Sequence, residues 1–289
     1  MKKVAIFKLI RPLNCVFAGI AVLIGALLGA RVYNFAGWEV YLLAFLVAAL
    51  VAGGGNAIND YFDRAIDRIN RPYRPIPSGQ IKPNTALRIS QVFFIAGILS
   101  SVALKNPFCF AIAGINSLML VFYAGKLKRL GLPGNLTIGY LVGSTFLFGG
   151  LATSPYGAGP LIPTELLVLV LMASFSTVGR ELIKGIEDMP GDKKLKLRTF
   201  PLTHGARKAA GLATLFILLA IVLAPIPYTE HIFGEYYLYP LLVSIGAFLV
   251  AIGLILRNPA PKTAAWSSLA CKIGMGFGLL AFLMGTLSA

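Results

Sequence analysis

The sequence predicts an all-α integral membrane protein, with nine transmembrane helices in a bundle that carries loops on its cytoplasmic side. Of its 289 residues, 57% are hydrophobic and 13% are charged, whereas soluble domains average about 45–50% apolar and about 25% charged residues. Nine segments are close in length to the run of about 20 apolar residues that a spanning helix needs. The basic residues cluster on alternate connections, as they do in membrane proteins. We therefore expect a single transmembrane domain over residues 1–289.

The nine predicted spans follow one another with mostly short connections. Proline cannot continue a helical hydrogen-bond ladder, so Asn106-Pro107 separates the third span from the fourth. The second and sixth spans are each followed by an acidic cluster and a basic, proline-containing loop, which predicts a weak internal repeat of four helices with the ninth left over. The spans are residues 13–30, 40–58, 86–104, 107–123, 136–153, 165–183, 209–227, 236–256 and 266–287.

Positive charge is distributed unevenly across this topology. The formal net charge is +15, and all of the 26 Lys and Arg residues except Arg31 and Lys105 fall on the side of the N-terminus. Because cytoplasmic loops collect basic residues, we predict a cytoplasmic N-terminus and, with nine spans, an external C-terminus. The same rule explains the net charge without nucleic acid as a partner, and the sequence contains no basic aromatic nucleic-acid module.

Cysteine and histidine are too scarce to suggest several common kinds of site. The three cysteines (Cys15, Cys109 and Cys271) lie in apolar segments without paired spacing, so neither a disulfide framework nor a zinc site is indicated. With only His204 and His231, a histidine metal site or a Ser-His-Asp triad is not expected either.

Three carboxylates lie directly after the apolar part of the second span. Asp60, Asp63 and Asp67 are spaced i, i+3 and i+7, which places them on one face of a helix. Three anions repel one another in a poorly hydrated place, so a cation should hold them together. Oxygen ligands of this kind favour a divalent metal ion.

A second acidic cluster follows the sixth span. Asp188 and Asp192 are four residues apart, one turn if the helix continues, but Pro190 predicts that the pair straddles a helix break. The 11 acidic residues divide between four in the external connections and seven in the two clusters. The external ones are Glu39, Glu165, Glu230 and Glu235, and the second cluster also contains Glu181 and Glu187.

A diphosphate is the kind of ligand that suits carboxylates surrounded by excess Lys and Arg. Carboxylates can bind it through Mg²⁺, while ammonium and guanidinium groups take the remaining oxygens. The metal would also stabilise a leaving diphosphate, and membrane helices would house an isoprenoid tail and keep water away. A third basic patch, Tyr123 to Lys128 after the fourth span, is either part of this site or a positive-inside anchor.

Four segments of this sequence carry a family resemblance. Residues 59–72 resemble the first Asp-rich motif of the UbiA superfamily of intramembrane prenyltransferases, and Arg-Pro-Ile-Pro-Ser-Gly at 74–79 is also typical of it. Residues 188–192 are similar to the second Asp-rich motif, and 123–128 to the Tyr/Lys patch of the family. The resemblance implies a lateral, lipid-facing cavity in which a Mg²⁺-bridged prenyl diphosphate transfers its prenyl group to an acceptor.

The resemblance also implies roles for individual residues. Asp60, Asp63 and Asp67 would hold one Mg²⁺, and Asp188 and Asp192 a second, which makes these five the expected catalytic and metal-binding residues. Some subgroups carry a further Asp where this chain has Gly185, and Glu181 or Glu187 would compensate. The expected substrate-binding residues are Asn14, Asn56, Asn59, Arg64, Arg71, Arg74, Tyr123, Lys126, Lys128 and Lys184.

Within the superfamily, residues 11–15, 70–72 and 74–79 are most similar to archaeal digeranylgeranylglyceryl phosphate synthases. These transfer a geranylgeranyl group from geranylgeranyl diphosphate to geranylgeranylglyceryl phosphate, in ether phospholipid biosynthesis. That acceptor is a membrane lipid with a phosphate head, which suits the many cytoplasmic cations. The resemblance therefore predicts a prenyl diphosphate and a lipid phosphate as substrates.

Several other functions are compatible with parts of the sequence. An aromatic acceptor of the quinone, haem or chlorophyll type is the main alternative, since chlorophyll synthases share the Pro-Ile-Pro-Ser-Gly element. A cation transporter is more remote, because its carboxylates would lie near the bilayer midplane rather than at helix ends. A CDP-alcohol phosphotransferase would need an Asp-Gly-x-x-Ala-Arg opening, which the sequence lacks.

Overall fold

The structure is a computed structural model that describes residues 2–33, 37–154, 162–194 and 197–288. All regular secondary structure in these residues is helical. A 3₁₀ turn at Leu127–Arg129 follows the fifth of the α-helices. The α-helices are α1 (Lys2–Ile10), α2 (Pro12–Tyr33), α3 (Trp38–Asn70), α4 (Pro83–Val102), α5 (Pro107–Gly125), α6 (Leu132–Ala152), α7 (Thr164–Lys194), α8 (Phe200–His204), α9 (Ala206–Leu223), α10 (Ile226–Thr229), α11 (Glu235–Arg257) and α12 (Pro261–Ser288).

Nine helical segments in the described ranges are long and apolar enough to cross a membrane, which confirms the predicted all-α multi-pass fold. They are α2, α3, α4, α5, α6, α7, α9 with α10, α11 and α12. Met1 and Ala289, on which the predicted positions of the termini depend, lie outside the described residues.

The helices that carry the acidic clusters are longer than the apolar pattern indicated. The predicted spans end at residues 58 and 183, whereas α3 continues to Asn70 and α7 to Lys194, so both clusters are helical throughout. The expected break at Pro190 is wrong, because α7 runs through it. Proline removes its own N–H from the ladder and crowds the carbonyl four residues earlier, but Pro190 lies only four residues before the end of α7, so little of the helix follows it.

One compact unit comprises Met1–Lys126 and Ser144–Pro163. Its core includes Val22 of α2, Val47 of α3, Phe94 of α4 and Phe148 of α6, all buried. Helices α2 and α6 approach closely, since a Cβ atom added at Gly25 would overlap the carbonyl oxygen of Phe146. Small residues allow such backbone contact between membrane helices.

A smaller cluster in the same unit holds the N-terminal helix in place. Ala5 and Leu9 of α1 are buried against Ile76 and Ile81, which belong to the loop after α3, and against Ala57 of α3 itself. The short helix α1 and this loop are therefore packed on each other and on the helix that carries the first acidic cluster.

The second compact unit comprises Leu127–Gly143 and Thr164–Ala289. Leu182, Ile183 and Ile186 of α7 are fully buried and pack with Ile217 of α9 and Ile255 of α11. This packing fixes the apolar side of α7, and its charged residues lie on the remaining side. That residues 1–289 form one domain, and that the chain contains a four-helix repeat, both stay predictions.

Candidate active site

The first acidic cluster is buried on one face of α3, as its spacing predicts. Asp60, Asp63 and Asp67 are 2%, 8% and 5% exposed, respectively. Burying three anions without compensation would be very costly, so their partners decide whether the arrangement is stable.

Two arginines supply positive charge to two of these carboxylates, Asp60 and Asp67. Arg74 Nη1 lies 3.2 Å from Asp60 Oδ1 and 2.6 Å from Asp67 Oδ2, so that one nitrogen bridges both side chains. Arg11 Nη2 also pairs with Asp60 Oδ1. The side chain of Arg74 is only 12% exposed, which makes this a buried network rather than a surface ion pair.

The loop after α3 positions Arg74 through its backbone. Arg71 ends the helix and donates its N–H to Asp67 O at 2.8 Å, and Arg74 donates to Arg71 O at 3.0 Å. Ser78 then donates to Arg74 O from its N–H at 3.0 Å and from its Oγ at 2.7 Å. Together with the burial of Ile76, these hydrogen bonds fix the conformation of the Arg-Pro-Ile-Pro-Ser-Gly segment. They hold the Arg74 side chain against the carboxylates.

Arg11 is a site residue that the sequence reasoning missed. It lies at the break between α1 and α2, with a left-handed backbone (φ 53°). Its carbonyl accepts hydrogen bonds from Asn14 N–H at 2.9 Å and Cys15 N–H at 3.3 Å, which starts α2. The sequence feature that could have indicated this role is an arginine directly before a proline, at the start of the first span.

The predicted asparagines connect this cluster to its surroundings. Asn59 donates from Nδ2 to Asp63 Oδ2 at 3.0 Å, one helical turn away. Asn56 donates to the carbonyl of Ile10 at 2.9 Å, at the end of α1, and accepts from Asn14 at 3.5 Å. Asn59 therefore orients a carboxylate directly, whereas Asn56 and Asn14 fix the junction of α1 and α2.

Two predicted substrate contacts in this region remain on the surface. Arg64 is exposed, donates to the carbonyl of Tyr61 at 2.8 Å and lies 4.7 Å from the centre of the Tyr61 ring. Arg71 is also exposed. Neither forms an ion pair with Asp60 or Asp67, whose arginine partners among the described residues are Arg74 and Arg11.

The second acidic cluster lies near the C-terminal end of α7. Asp188 is exposed and Asp192 is half-buried, and the charged neighbours of Asp192 are Asp188 and Lys184 of the same helix. Since α7 is continuous here, Lys184, Asp188 and Asp192 recur every four residues and share one face. This places a cation and two carboxylates in one row.

Packing accounts for the glycine at position 185. A Cβ atom added to Gly185 would lie 3.1 Å from Pro201 Cγ, because helix α8 covers this side of α7. A longer acidic side chain would have to displace Pro201. Glu181, one of the two residues expected to compensate, accepts a 2.8 Å hydrogen bond from Arg180 Nη1.

The third predicted patch lies at the end of α5. Tyr123 is in the last turn of α5, Lys126 caps it by donating its N–H to Phe122 O at 2.9 Å, and Lys128 is in the 3₁₀ turn. Their substrate-binding role stays a prediction.

The donor atoms on α3 suit a hard divalent cation. Buried carboxylate and amide oxygens are the ligands that Mg²⁺ accepts in proteins. In the part of the chain that the structure describes, no three His, Cys, Asp or Glu side chains already converge on a metal position. Asp60 and Asp67 nevertheless reach one shared cationic nitrogen, that of Arg74. The residues therefore fit such an ion, provided that the Arg74 guanidinium moves away from the two carboxylates.

Comparisons with known proteins identify the family to which this chain is similar. The chain matches the UbiA prenyltransferase family over residues 18–284. A digeranylgeranylglyceryl phosphate synthase from Methanosarcina mazei is 44% identical over 289 residues, with 96% of each chain covered. The enzyme of that name from Methanothrix thermoacetophila is 42% identical, covering 97% of this chain and 98% of that one.

Solved structures give the same result for the fold. A structure described under the name digeranylgeranylglyceryl phosphate synthase is 40% identical, covers 99% of both chains and superposes with a TM-score of 0.86. A UbiA homologue from Archaeoglobus fulgidus bound to DMAPP and Mg²⁺ is 17% identical, covers 94% of this chain and 98% of that one, and has a TM-score of 0.69. On the family match and these relatives, the chain belongs to the UbiA prenyltransferase family.

Proposed function

We propose that this protein transfers a geranylgeranyl group from geranylgeranyl diphosphate to geranylgeranylglyceryl phosphate, in the biosynthesis of archaeal ether phospholipids. The observation that carries the proposal is the similarity, over nearly the whole chain, to enzymes named digeranylgeranylglyceryl phosphate synthase. The buried carboxylates at the end of a spanning helix, two of which pair with arginines, support a site for a metal-bound diphosphate at the membrane surface.

The five aspartates of the two clusters are proposed as the Mg²⁺ ligands. Asp60, Asp63 and Asp67 would serve one position on α3, and Asp188 and Asp192 another on α7. A family member of the same fold is bound to GPP and Mg²⁺, which supports the choice of metal. When bound, Mg²⁺ supplies Lewis-acid stabilisation of the charge that develops on the departing diphosphate.

The side chains around these ligands have their own tasks in the proposed reaction. Asn59 holds the carboxylate of Asp63 in orientation through its 3.0 Å hydrogen bond. Lys184 lies on the same helix face as Asp188 and would offer an ammonium group to phosphate oxygens. The apolar helices would enclose the prenyl chain and keep water from the reacting carbon.

The proposed reaction exchanges one C–O bond for another. The bond between the allylic carbon and the diphosphate oxygen breaks, and the diphosphate leaves with the electron pair. The glyceryl hydroxyl oxygen of the acceptor then forms an ether bond with that carbon and releases its proton. We propose that the departing diphosphate takes this proton, since neither His204 nor His231 lies on a spanning helix.

We further propose that the N-terminus and both acidic clusters face the cytoplasm and that the C-terminus is external. The support is the charge asymmetry, since all but two of the 26 basic residues belong to one side of the topology.

The acceptor is tested directly with purified protein in lipid nanodiscs, Mg²⁺ and labelled geranylgeranyl diphosphate. Two acceptors are compared, geranylgeranylglyceryl phosphate and 4-hydroxybenzoate. We expect a labelled diether lipid with the first and no prenylated product with the second. Product formation only with the aromatic acid would overturn the assignment, and it would leave membership of the family untouched.

A further inference from the structure

The Arg74 guanidinium occupies carboxylate oxygens that a metal ion would also need. A single nitrogen, Nη1, lies 3.2 Å from Asp60 Oδ1 and 2.6 Å from Asp67 Oδ2. A divalent ion at these oxygens and the guanidinium would be two like charges in a buried place, where repulsion is weakly screened. Arg74 and a metal therefore cannot both keep full contact with Asp60 and Asp67.

The two carboxylates differ in what remains if Arg74 is removed. Asp60 keeps a second partner in Arg11, whose side chain is 31% exposed. Among the described residues, the ion-pair partner of Asp67 is Arg74 alone, and Asp67 is 5% exposed. A cation that replaces Arg74 is therefore needed most at Asp67, and a metal ion can supply that charge.

The backbone at Arg74 is held firmly, so the exchange needs only its side chain to move. The Arg74 N–H and carbonyl are bonded to Arg71 and Ser78, and Ile76 is buried two residues later. An arginine side chain has several rotatable bonds and can leave a carboxylate without unfolding its loop. The fixed Cα keeps the released guanidinium within one side-chain length of the metal position.

We propose that Arg74 is an exchangeable cation: the metal displaces it from Asp60 and Asp67, and the released guanidinium then binds the diphosphate. The proposal rests on the proposed function for the identity of the metal and the diphosphate. Arg74 thereby couples the two ligands, because metal binding frees the group that the diphosphate uses. Without metal, the same residue keeps the buried carboxylates neutralised.

Metal affinity measured without any substrate tests the exchange. Mn²⁺ serves as a spectroscopic substitute for Mg²⁺, and its binding to the purified full-length protein is followed by electron paramagnetic resonance. For Arg74→Gln, which removes the competing charge, we expect Mn²⁺ to bind about tenfold more tightly than in the wild type, equivalent to about 1.4 kcal/mol. For Arg74→Lys, which keeps the charge, we expect a gain of about threefold or less.

Arg68→Gln is the matched control. Arg68 is exposed on the last turn of α3 and has no ion pair among the described residues, so this variant removes the same charge without freeing a carboxylate. We expect its Mn²⁺ affinity to stay within about twofold of the wild type, since exposed charges are screened. Equal gains in Arg68→Gln and Arg74→Gln would overturn the proposal, as would unchanged or weaker Mn²⁺ binding in Arg74→Gln.

A second measurement tests the coupling to diphosphate. Inorganic pyrophosphate is added, and the resulting increase in Mn²⁺ affinity is compared between wild type and Arg74→Lys, the variant that retains charge and is the safer one for folding. We expect an increase about tenfold smaller in the variant, because lysine lacks the planar fork that binds phosphate oxygens in pairs. An equal increase in both proteins would overturn the role of Arg74 in coupling. Neither measurement uses a prenyl acceptor, so a wrong acceptor assignment would leave both results unchanged.

Discussion

Arg11 and Asp60 form an ion pair that joins the break between α1 and α2 to the first carboxylate of α3, 49 residues later in the chain. Arg11 adopts a left-handed backbone conformation (φ 53°), which is uncommon for a residue with a side chain. The backbone strain and the side-chain charge of Arg11 can be studied separately, because different substitutions remove one property at a time.

Three variants of Arg11 should separate these properties. Arg11→Gly and Arg11→Gln both lose the ion pair, but glycine adopts the left-handed conformation without the about 1 kcal/mol that glutamine pays. We therefore expect Arg11→Gly to be the more stable of the two in thermal unfolding, with Arg11→Lys close to the wild type. If the guanidinium matters only for folding, kcat/KM for geranylgeranyl diphosphate will follow stability. We expect instead that kcat/KM falls equally in Arg11→Gly and Arg11→Gln.

Substitution of one aspartate in each cluster tests the proposed metal ligands. Asp63→Asn and Asp188→Asn keep the side-chain shape but remove a negative charge, and we expect each to lower kcat by about 100-fold or more. The measurement is transfer of labelled geranylgeranyl at saturating substrates. Glu230→Gln, at an exposed position after α10, is the control that removes a carboxylate elsewhere. Near-normal turnover in either aspartate variant would remove that residue from the site.

The loop that holds Arg74 includes Gly79, which has a left-handed backbone conformation. This glycine has φ 75° and nothing within 4 Å of an added Cβ atom, so alanine there would meet no steric obstacle and only the backbone would be strained. We expect Gly79→Ala to lose about 1 kcal/mol of stability. Gly114, in the interior of α5 and equally open, is the matched control. Alanine there should be neutral or stabilising by up to about 1 kcal/mol, because it favours the helix.

Thermal unfolding in detergent compares these two glycine variants. The opposite signs of the two shifts are the expected result, since the chemical change is the same and only the backbone conformation differs. A stabilised Gly79→Ala would mean that the turn has no left-handed requirement, and the placement of Arg74 would then not depend on it.

The nine spans were predictable because apolar runs of about 20 residues report directly on burial in lipid. The ends of α3 and α7 were not, because the apolar pattern ends near residues 58 and 183, where charged residues accumulate, whereas the helices continue to Asn70 and Lys194. The helix through Pro190 was also not predictable from the local sequence. A proline predicts a break from local chemistry, but near the end of a helix the loss of one backbone hydrogen bond is tolerated.

The shared helix face of the three aspartates was predictable, but the side chains that pair with them were not. The spacing of Asp60, Asp63 and Asp67 fixes their common face, since helix geometry is local. The bridge from Arg74 and the contact from Arg11 depend on how the loop after α3 and the start of α2 fold back onto α3. Such contacts are tertiary, and no periodic pattern in the sequence records them.

Close backbone packing between α2 and α6 should make their glycines sensitive to substitution. A Cβ atom at Gly25 would overlap the Phe146 carbonyl oxygen, and one at Gly149 would overlap the Val22 carbonyl oxygen. Because backbone atoms cannot rotate away as a side chain can, we expect either alanine variant to lose folded protein, with a loss of about 1–3 kcal/mol. Gly246 of α11 has open space and is the control. The measurement is the yield of monodisperse protein and its unfolding temperature.

Cysteine labelling can determine the orientation of the helices. Cys15, Cys109 and Cys271 are all buried as free thiols, so the background with a membrane-impermeant maleimide should be low. We expect Glu230→Cys to be labelled in right-side-out membrane vesicles, because it lies on the side that is poor in basic residues. Arg68→Cys, exposed at the opposite end of the topology, should react only after the vesicles are permeabilised. The reverse labelling pattern would place the acidic clusters outside the cell and would contradict the orientation that the distribution of basic residues predicts.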